Sequence, residues 1–478
     1  MSMHRSAALV AIGVLALALP VTAQTTLRDV QETTLTAGDG TAFIVTAGVV
    51  RVRELHRAPD ATGSIDLAVV RVRRATSQSR LAHIVLAGGP GDSGVNLALG
   101  MARQGGAALA DMLNGDIIGI DQRGTGKSLP NLASSVRYDL PLDQPASLGL
   151  WLPLIEQVTR RVAAQFRDRG IRLEAYNTEE SADDVDDVRA ALGYERVTLW
   201  GRSYGSHLAL AVLKRYPAVV ERLVLVSPEG LNHTWKLPSQ IDAVIDRIAM
   251  RAGMPDLASR MAEVIQRVTR EPVVVSVTDP RTNQPASIAV GAFDLQWVTA
   301  QALGDPRTMA SLPAAYRLMA AGDFRSIAQL LLIRRTQFGI ESAMKHLMDV
   351  SSGASPDRRA RIDREAASGL LGNAMNFPGF YLQGPWGARD LGDTYRMGVT
   401  STVPTLMLVG DLDARTPIEN ARDIATTLPN SHVIIIENAA HQFDVFGSMP
   451  IRSILTQFLT TGRVDQTRVT LPPIPFAR

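Results

Sequence analysis

Six short apolar runs, each closing in a loop of Gly, Asp, Ser or Asn, recur along the chain: LAHIVLAGGPG, GDIIGIDQRG, RVTLWGRSYG, ERLVLVSPEG, PTLMLVGDLD and HVIIIENAAH. Runs this short, without polar alternation and rich in β-branched residues, read as strands buried on both faces. Helical segments stand between them. In ESADDVDDVRAALG, Ala182, Val185, Val188 and Leu192 share one helical face, and Gly193 is a stop signal. Buried strands alternating with helices specify an α/β fold, a mostly parallel central sheet flanked by helices. Ahead of them, TAFIVTAGVVRVRE and SIDLAVVRVRR alternate and read as antiparallel strands at a sheet edge.

A chain of 478 residues exceeds one compact core of usual size. The strand–helix rhythm breaks between residues 232 and 396, where helical patterns such as SQIDAVIDRIAMRAG dominate and one hairpin, EPVVVSVTDPRTNQPASIAVG, interrupts them. This block lies between two core strands. It is expected to be a mainly helical cap domain inserted into a core of residues 24–231 and 397–478. Residues 1–23 carry His4 and Arg5, then AALVAIGVLALAL, then small residues before a cut after Ala23. That is the pattern of a secretory signal peptide. A membrane anchor is the alternative, but a span needs about 20 apolar residues. The expectation is export to the periplasm or medium, with no stable membrane insertion after cleavage. The chain has no cysteine, which excludes disulfides, a thiol nucleophile and thiolate metal sites. A net charge of +2 gives no argument for nucleic acid. No oligomeric state follows from the sequence.

GRSYG, residues 201–205, stands where an apolar strand meets a helical run. A serine between two glycines at such a junction is the pattern of a nucleophile elbow. The tight turn lifts the hydroxyl clear of the sheet, at a helix N-terminus that favours negative charge. A serine hydroxyl needs a histidine to take its proton and a carboxylate to orient that histidine. In this architecture the carboxylate and then the histidine follow the serine in the chain. His233 and His346 fall in or beside the cap, and His432 opens a strand. His441 follows the last strand by a short turn, so it is the candidate base. Asp411 and Asp413 both follow the preceding strand. Asp413 is favoured because it lies further out, where it can reach a neighbouring loop, whereas Asp411 can simply cap the turn. Two backbone donors are needed for an oxyanion: the N–H of Tyr204, and a second from AGGPG, with Gly89 the candidate.

Two glycine-rich stretches point elsewhere only on the surface. GPGDSG, residues 89–94, fits a dinucleotide fingerprint, with Asp121 ending the next strand, but Pro90 removes an N–H where a phosphate would want one. The run after it also has more glycines than a packed helix favours. GTGKS resembles the end of a P-loop, but Asp121 stands where the first glycine is required.

Taken together, GGPG at 88–91, DQRGTGKS at 121–128, GRSYG at 201–205, GDLDARTP at 410–417 and AAHQF at 439–443 resemble the α/β-hydrolase fold. More narrowly, they resemble the proline iminopeptidase and tripeptidyl aminopeptidase family of serine exopeptidases. The resemblance spans residues 50 to 445. It implies a triad of Ser203, Asp413 and His441, places Asp121 and Arg123 in a structural loop beside the site, and fits the long cap. Ala87 departs from the histidine that many members carry before GGPG.

The functional expectation is an exported serine aminopeptidase acting on peptides through an acyl-enzyme, with no metal or organic cofactor. A carboxylesterase with the same machinery, acting on a small ester, is the rival, and a catalytically silent binding protein is a third reading. A free α-amino group is cationic or nearly so at neutral pH, and needs a carboxylate partner in a partly desolvated cleft. Glu229, in VSPEG at the opening of the cap, is the candidate; capping the next turn or pairing with a cap arginine is the alternative role. The aromatics of MNFPGFYLQGPW (Phe377, Phe380, Tyr381, Trp386) suit either an apolar pocket or the packed core of the cap.

Overall fold

A computed structural model describes residues 26–58 and 62–477, so the signal peptide expected over 1–23 lies outside the described residues. The centre is a ten-stranded sheet in the order β1-β2-β3-β5-β4-β7-β8-β12-β13-β14. β1 (Leu27–Thr36), β2 (Ala42–Arg53) and β3 (Ser64–Arg74) form the antiparallel edge. β4 (Ala82–Leu86), β5 (Asp116–Ile120), β7 (Val197–Arg202), β8 (Val220–Val226), β12 (Thr405–Gly410), β13 (Ser431–Glu437) and β14 (Arg468–Thr470) run parallel. β4, β5 and β12 are buried at every residue, which is why their sequences show no alternation. β1 was not anticipated. Its ten residues are mostly exposed and polar, and only pairing with β2 marks it as a strand.

Each face of the sheet has its own apolar layer. One side packs α1 (Gly94–Leu113) and the helix Met449–Thr461, with Ala98, Leu109, Ile454 and Phe458 against Val85, Val224 and Leu408. The other packs α3 (Thr178–Ala191) and α4 (Tyr204–Arg215), and its apolar layer continues without a break into the cap. α1 forms despite its glycines. It kinks at Gly106 (φ 50°), where a Cβ would lie 2.2 Å from Asp39 Oδ2, the atom that accepts the Ala107 N–H.

The cap holds α5 (Pro238–Arg251), α6 (Leu257–Arg270), the hairpin of β9 (Val273–Asp279) and β10 (Gln284–Val290), α7 (Ala292–Ala302) and further helices up to Arg396. The boundary expected at residue 232 does not describe the packing. β6 (Ala133–Arg137) pairs with β11 (Gly339–Ser342) of the cap. α2 (Leu148–Asp168) inserts Trp151 among Trp297, Phe293 and Phe377, at ring distances of 5.2, 6.0 and 6.0 Å. All of its ring neighbours, Phe293, Trp297, Phe338 and Phe377, come from the cap, so residues 133–168 pack with the cap. Phe377, Phe380 and Trp386 are buried, as the packed-core reading of that stretch expects. No helix among the described residues is long and apolar enough to cross a membrane.

Candidate active site

The ends of β4, β7, β8, β12 and β13 meet beneath the cap, and the loops that follow them carry the site. Ser203 turns the chain from β7 into α4 at φ 54° and ψ −125°. The turn is closed by contacts only glycine permits. A Cβ on Gly205 would lie 2.0 Å from the Leu86 carbonyl oxygen, and one on Gly201 would lie 2.5 Å from that of Gly205. Ser206 Oγ donates to the Ser203 carbonyl at 2.5 Å and accepts from Glu229 N–H at 2.7 Å, which ties the elbow to the loop after β8.

His441 Nε2 lies 3.0 Å from Ser203 Oγ, and its Nδ1 lies 2.9 and 3.0 Å from the two oxygens of Asp413. Asp413 is wholly buried and heavily used. Its Oδ1 accepts the backbone N–H groups of Arg415 and Thr416 at 2.8 Å, and its Oδ2 accepts Thr416 Oγ1 at 2.8 Å. Burial opposes its charge, but the His441 ring and the bonds from His441 and Thr416 outweigh burial and hold the carboxyl below the usual range. Ser227 Oγ donates to the His441 carbonyl at 3.1 Å, fixing the far side of the histidine loop. Asp411 has another task. It accepts Arg251 Nη2 at 2.8 Å, and its carbonyl accepts Arg247 Nε at 2.8 Å, joining α5 of the cap to the core.

Tyr204 opens α4, so its N–H has no acceptor within the helix. The GGPG loop passes close to it. A Cβ on Gly88 would lie 2.9 Å from the Arg202 carbonyl oxygen and 3.3 Å from Ser203 Cβ, and Gly89 holds φ 105°. The N-terminus of α1, which the dinucleotide pattern would offer to a phosphate, is taken by Asp121, which accepts from Val95 N–H and Ser93 Oγ. Arg123 is buried below, bidentate to Asp184 at 2.8 and 2.7 Å.

Glu229 already has a partner. It is buried, and Lys236 Nζ lies 2.6 Å from its Oε2, with His207 Nδ1 3.6 Å from Oε1. A neighbouring lysine, not a cap arginine, already answers its charge. Sequence reasoning passed over another acid, Asp349. It lies on the helix Ala343–Ser352, half-buried, and its carboxylate accepts no hydrogen bond among the described residues. Burial and the like charge of Glu229 push it up to about 7. The same helix covers the elbow. Ser352 Oγ lies 3.1 Å from Thr178 Oγ1, which lies 3.0 Å from the Tyr204 hydroxyl, and Lys345 Cβ would lie 3.8 Å from a Cβ on Gly91. A lone acid on a largely buried cap helix carries no mark in the sequence. The Thr416 contact was missed too, although the residue stands inside the quoted GDLDARTP.

One group among the described residues has ligand atoms close enough for a metal: His56, Glu180 and Asp183, within 4.8 Å of one another. Each is already engaged. His56 lies between Glu180 and Asp187 at 2.8 and 3.1 Å, and Asp183 accepts Arg215 and Tyr216.

Residues 84–274 match the family model described as alpha/beta hydrolase fold, and residues 386–470 match the one described as TAP-like protein. The chain is 22% identical over 430 residues to the serine protease Hip1 of Mycobacterium tuberculosis, covering 83% of this chain and 82% of that protein. Among solved structures, a proline iminopeptidase from Mycobacterium smegmatis superposes with a TM-score of 0.40 at 14% identity, over 90% of this chain and 98% of that one. An esterase from Thermogutta terrifontis gives 0.35 at 16% identity, over 90% and 97%.

Proposed function

Because this chain belongs to the α/β-hydrolase superfamily as a serine hydrolase with a TAP-like C-terminal part, we propose that it is an exported aminopeptidase. In this reading Ser203 attacks the acyl carbon of the peptide, and His441 takes its proton and passes it to the leaving amine. Asp413 holds the imidazole, and the N–H groups of Tyr204 and Gly89 meet the oxyanion. Water then enters along the same path and frees the acyl group. In this reading three side chains and two backbone N–H groups supply the machinery.

The observation that carries the reading is Asp349. Its carboxylate has no hydrogen bond or ion pair among the described residues, lies within electrostatic range of the Tyr204 phenol and of Lys345 and Lys236, and can take a further cation from a substrate. The α-ammonium of a peptide is one. Asp349 gains its charge as pH rises through about 7, and the substrate amine loses its own above about 8. Binding of free-amine substrates should therefore be tightest between these values. Asp349→Asn should remove the acid limb of that profile.

The test uses chromogenic amides of one to three residues, each with a free or an acetylated N-terminus, alongside a short-chain ester. Free-amine amides should be cleaved and acetylated ones spared, with Asp349→Asn raising KM for the former. Equal cleavage of blocked and free amides, or turnover of the ester alone, would replace the aminopeptidase with a carboxylesterase. Export is tested by mass spectrometry of the secreted or periplasmic protein, which should begin near Gln24; an intact Met1 in a membrane fraction would refute it.

A further inference from the structure

This chain partners its deeply buried arginines with care. Arg123 has Asp184 and the carbonyls of Glu54 and Ala175. Arg335 has Asp294 and the carbonyls of Pro141, Gln144 and Ala289. Arg396 has Asp390, Asp393 and the carbonyl of Ser352. A desolvated guanidinium without a partner is costly, so this is the expected pattern.

Two half-buried arginines beside the triad lack such partners. Arg202 precedes the nucleophile, and its side chain has no hydrogen bond or ion pair among the described residues. Arg415 lies two residues after Asp413, at the seam between core and cap. It makes one long contact, Nη2 to Gln301 Oε1 at 3.5 Å, and a Cβ on Gly304 would come within 3.0 Å of its Nε. Both are half-buried, and no nitrogen of either is sealed without a partner, so their free donors open onto accessible space. Asp413 is within electrostatic range of both, but its two oxygens are already taken by His441, Thr416 and the Arg415 backbone. Asp92 is the other acid within range of Arg202, and it is exposed.

We propose that Arg415, reinforced by Arg202, forms a carboxylate subsite beside the triad that takes an anionic group of the substrate. A guanidinium presents paired donors that match a carboxylate in a bidentate fork. In a peptide that carboxylate is either the free C-terminus of a short chain or an acidic side chain. The inference rests on the peptidase reading above for its substrate class. On this proposal, Asp349 on the cap helix and the arginines on the Asp413 side offer opposite charges to the two ends of a short peptide.

The test begins on the unaltered protein, with free-amine tri- and tetrapeptides in matched pairs. One pair differs by C-terminal carboxylate against C-terminal amide, and the other by Asp against Asn within an amidated peptide. Cleavage is followed by liquid chromatography and mass spectrometry. One of the two carboxylates should raise kcat/KM by about tenfold to hundredfold, mainly through KM, the range for a charged hydrogen-bonding partner. The responding pair identifies the source. Arg415→Gln should bring that ratio close to one, Arg415→Lys should retain part of it, and Arg202→Gln should lower it less. Ratios near one for both pairs on the unaltered protein, or an Arg415→Gln loss equal for the two members of a pair, would overturn the subsite. If every peptide is inert while an ester is turned over, the aminopeptidase reading fails instead. The subsite is then read from 4-nitrophenyl hemisuccinate against 4-nitrophenyl butyrate, with the same expected ratio and the same refutation.

Discussion

Exchanging one aspartate for asparagine at position 413, and separately at 411, tests the chemistry more sharply than removing the nucleophile. Asp413 Oδ1 accepts two backbone N–H groups, from Arg415 and Thr416, both at 2.8 Å. An asparagine must keep its carbonyl there, because an amide NH2 in that place would face two donors. Its NH2 then occupies the place of Oδ2, opposite His441 Nδ1 and Thr416 Oγ1. It donates to Nδ1 and so drives the ring proton to Nε2, the nitrogen 3.0 Å from Ser203 Oγ. A protonated Nε2 cannot take the serine proton. The expected loss in kcat/KM is about 10⁴-fold, or about 5.5 kcal/mol of transition-state stabilisation. The fold should survive, since the two bonds to Oδ1 remain. Asp411→Asn keeps the carbonyl that Arg247 uses and weakens only the pair with Arg251, whose side chain is 42% exposed. That pair is worth less than about 1 kcal/mol, so activity should change by less than about fivefold. The assay is steady-state kinetics on a free-amine anilide and a short-chain ester, with circular dichroism as the folding control. A folded Asp413→Asn protein within tenfold of the parent, or an Asp411→Asn protein that is the poorer of the two, would refute the assignment.

Ser203→Ala and His441→Ala should each abolish nearly all turnover, and the double variant should be little worse than either, because members of a triad act as a unit; additive losses would show that they do not. Arg123→Met should destabilise the fold by about 3–5 kcal/mol by stranding buried Asp184, and adding Asp184→Leu should recover part of that in thermal or denaturant unfolding; an unchanged midpoint for Arg123→Met would contradict it. Burial alone would lower the His56 pKa, but the bonds to Asp187 and Glu180 carry it up to about 9. Its contribution to stability is therefore complete below about 6.5 and lost as pH rises through about 9, at most about 3 kcal/mol and less where the ring edge meets solvent. His56→Gln should flatten the unfolding midpoint across that window, and an unchanged slope would argue against the charge.

The fold class and the candidates Ser203, Asp413 and His441 were legible in the amino-acid sequence. The reason is local. Strands buried on both faces cannot alternate, the elbow needs glycine where Leu86 and Gly205 crowd it, and the loops after parallel strands converge on one edge of the sheet whatever else the chain does. Asp413 and Asp411 look alike in sequence, since both follow the same strand. The contact to His441 and the arginines of α5 separate them. What lay over the site was decided only in three dimensions. Trp151 belongs to the cap because its burial depends on Trp297 and Phe377, far along the chain. Glu229 is spoken for because Lys236 folds back onto it, while Asp349, Arg202 and Arg415 stand without ion pairs among the described residues. Whether a charge is spent or available depends on the neighbours that folding brings within a few ångströms, and no local pattern of residues records that.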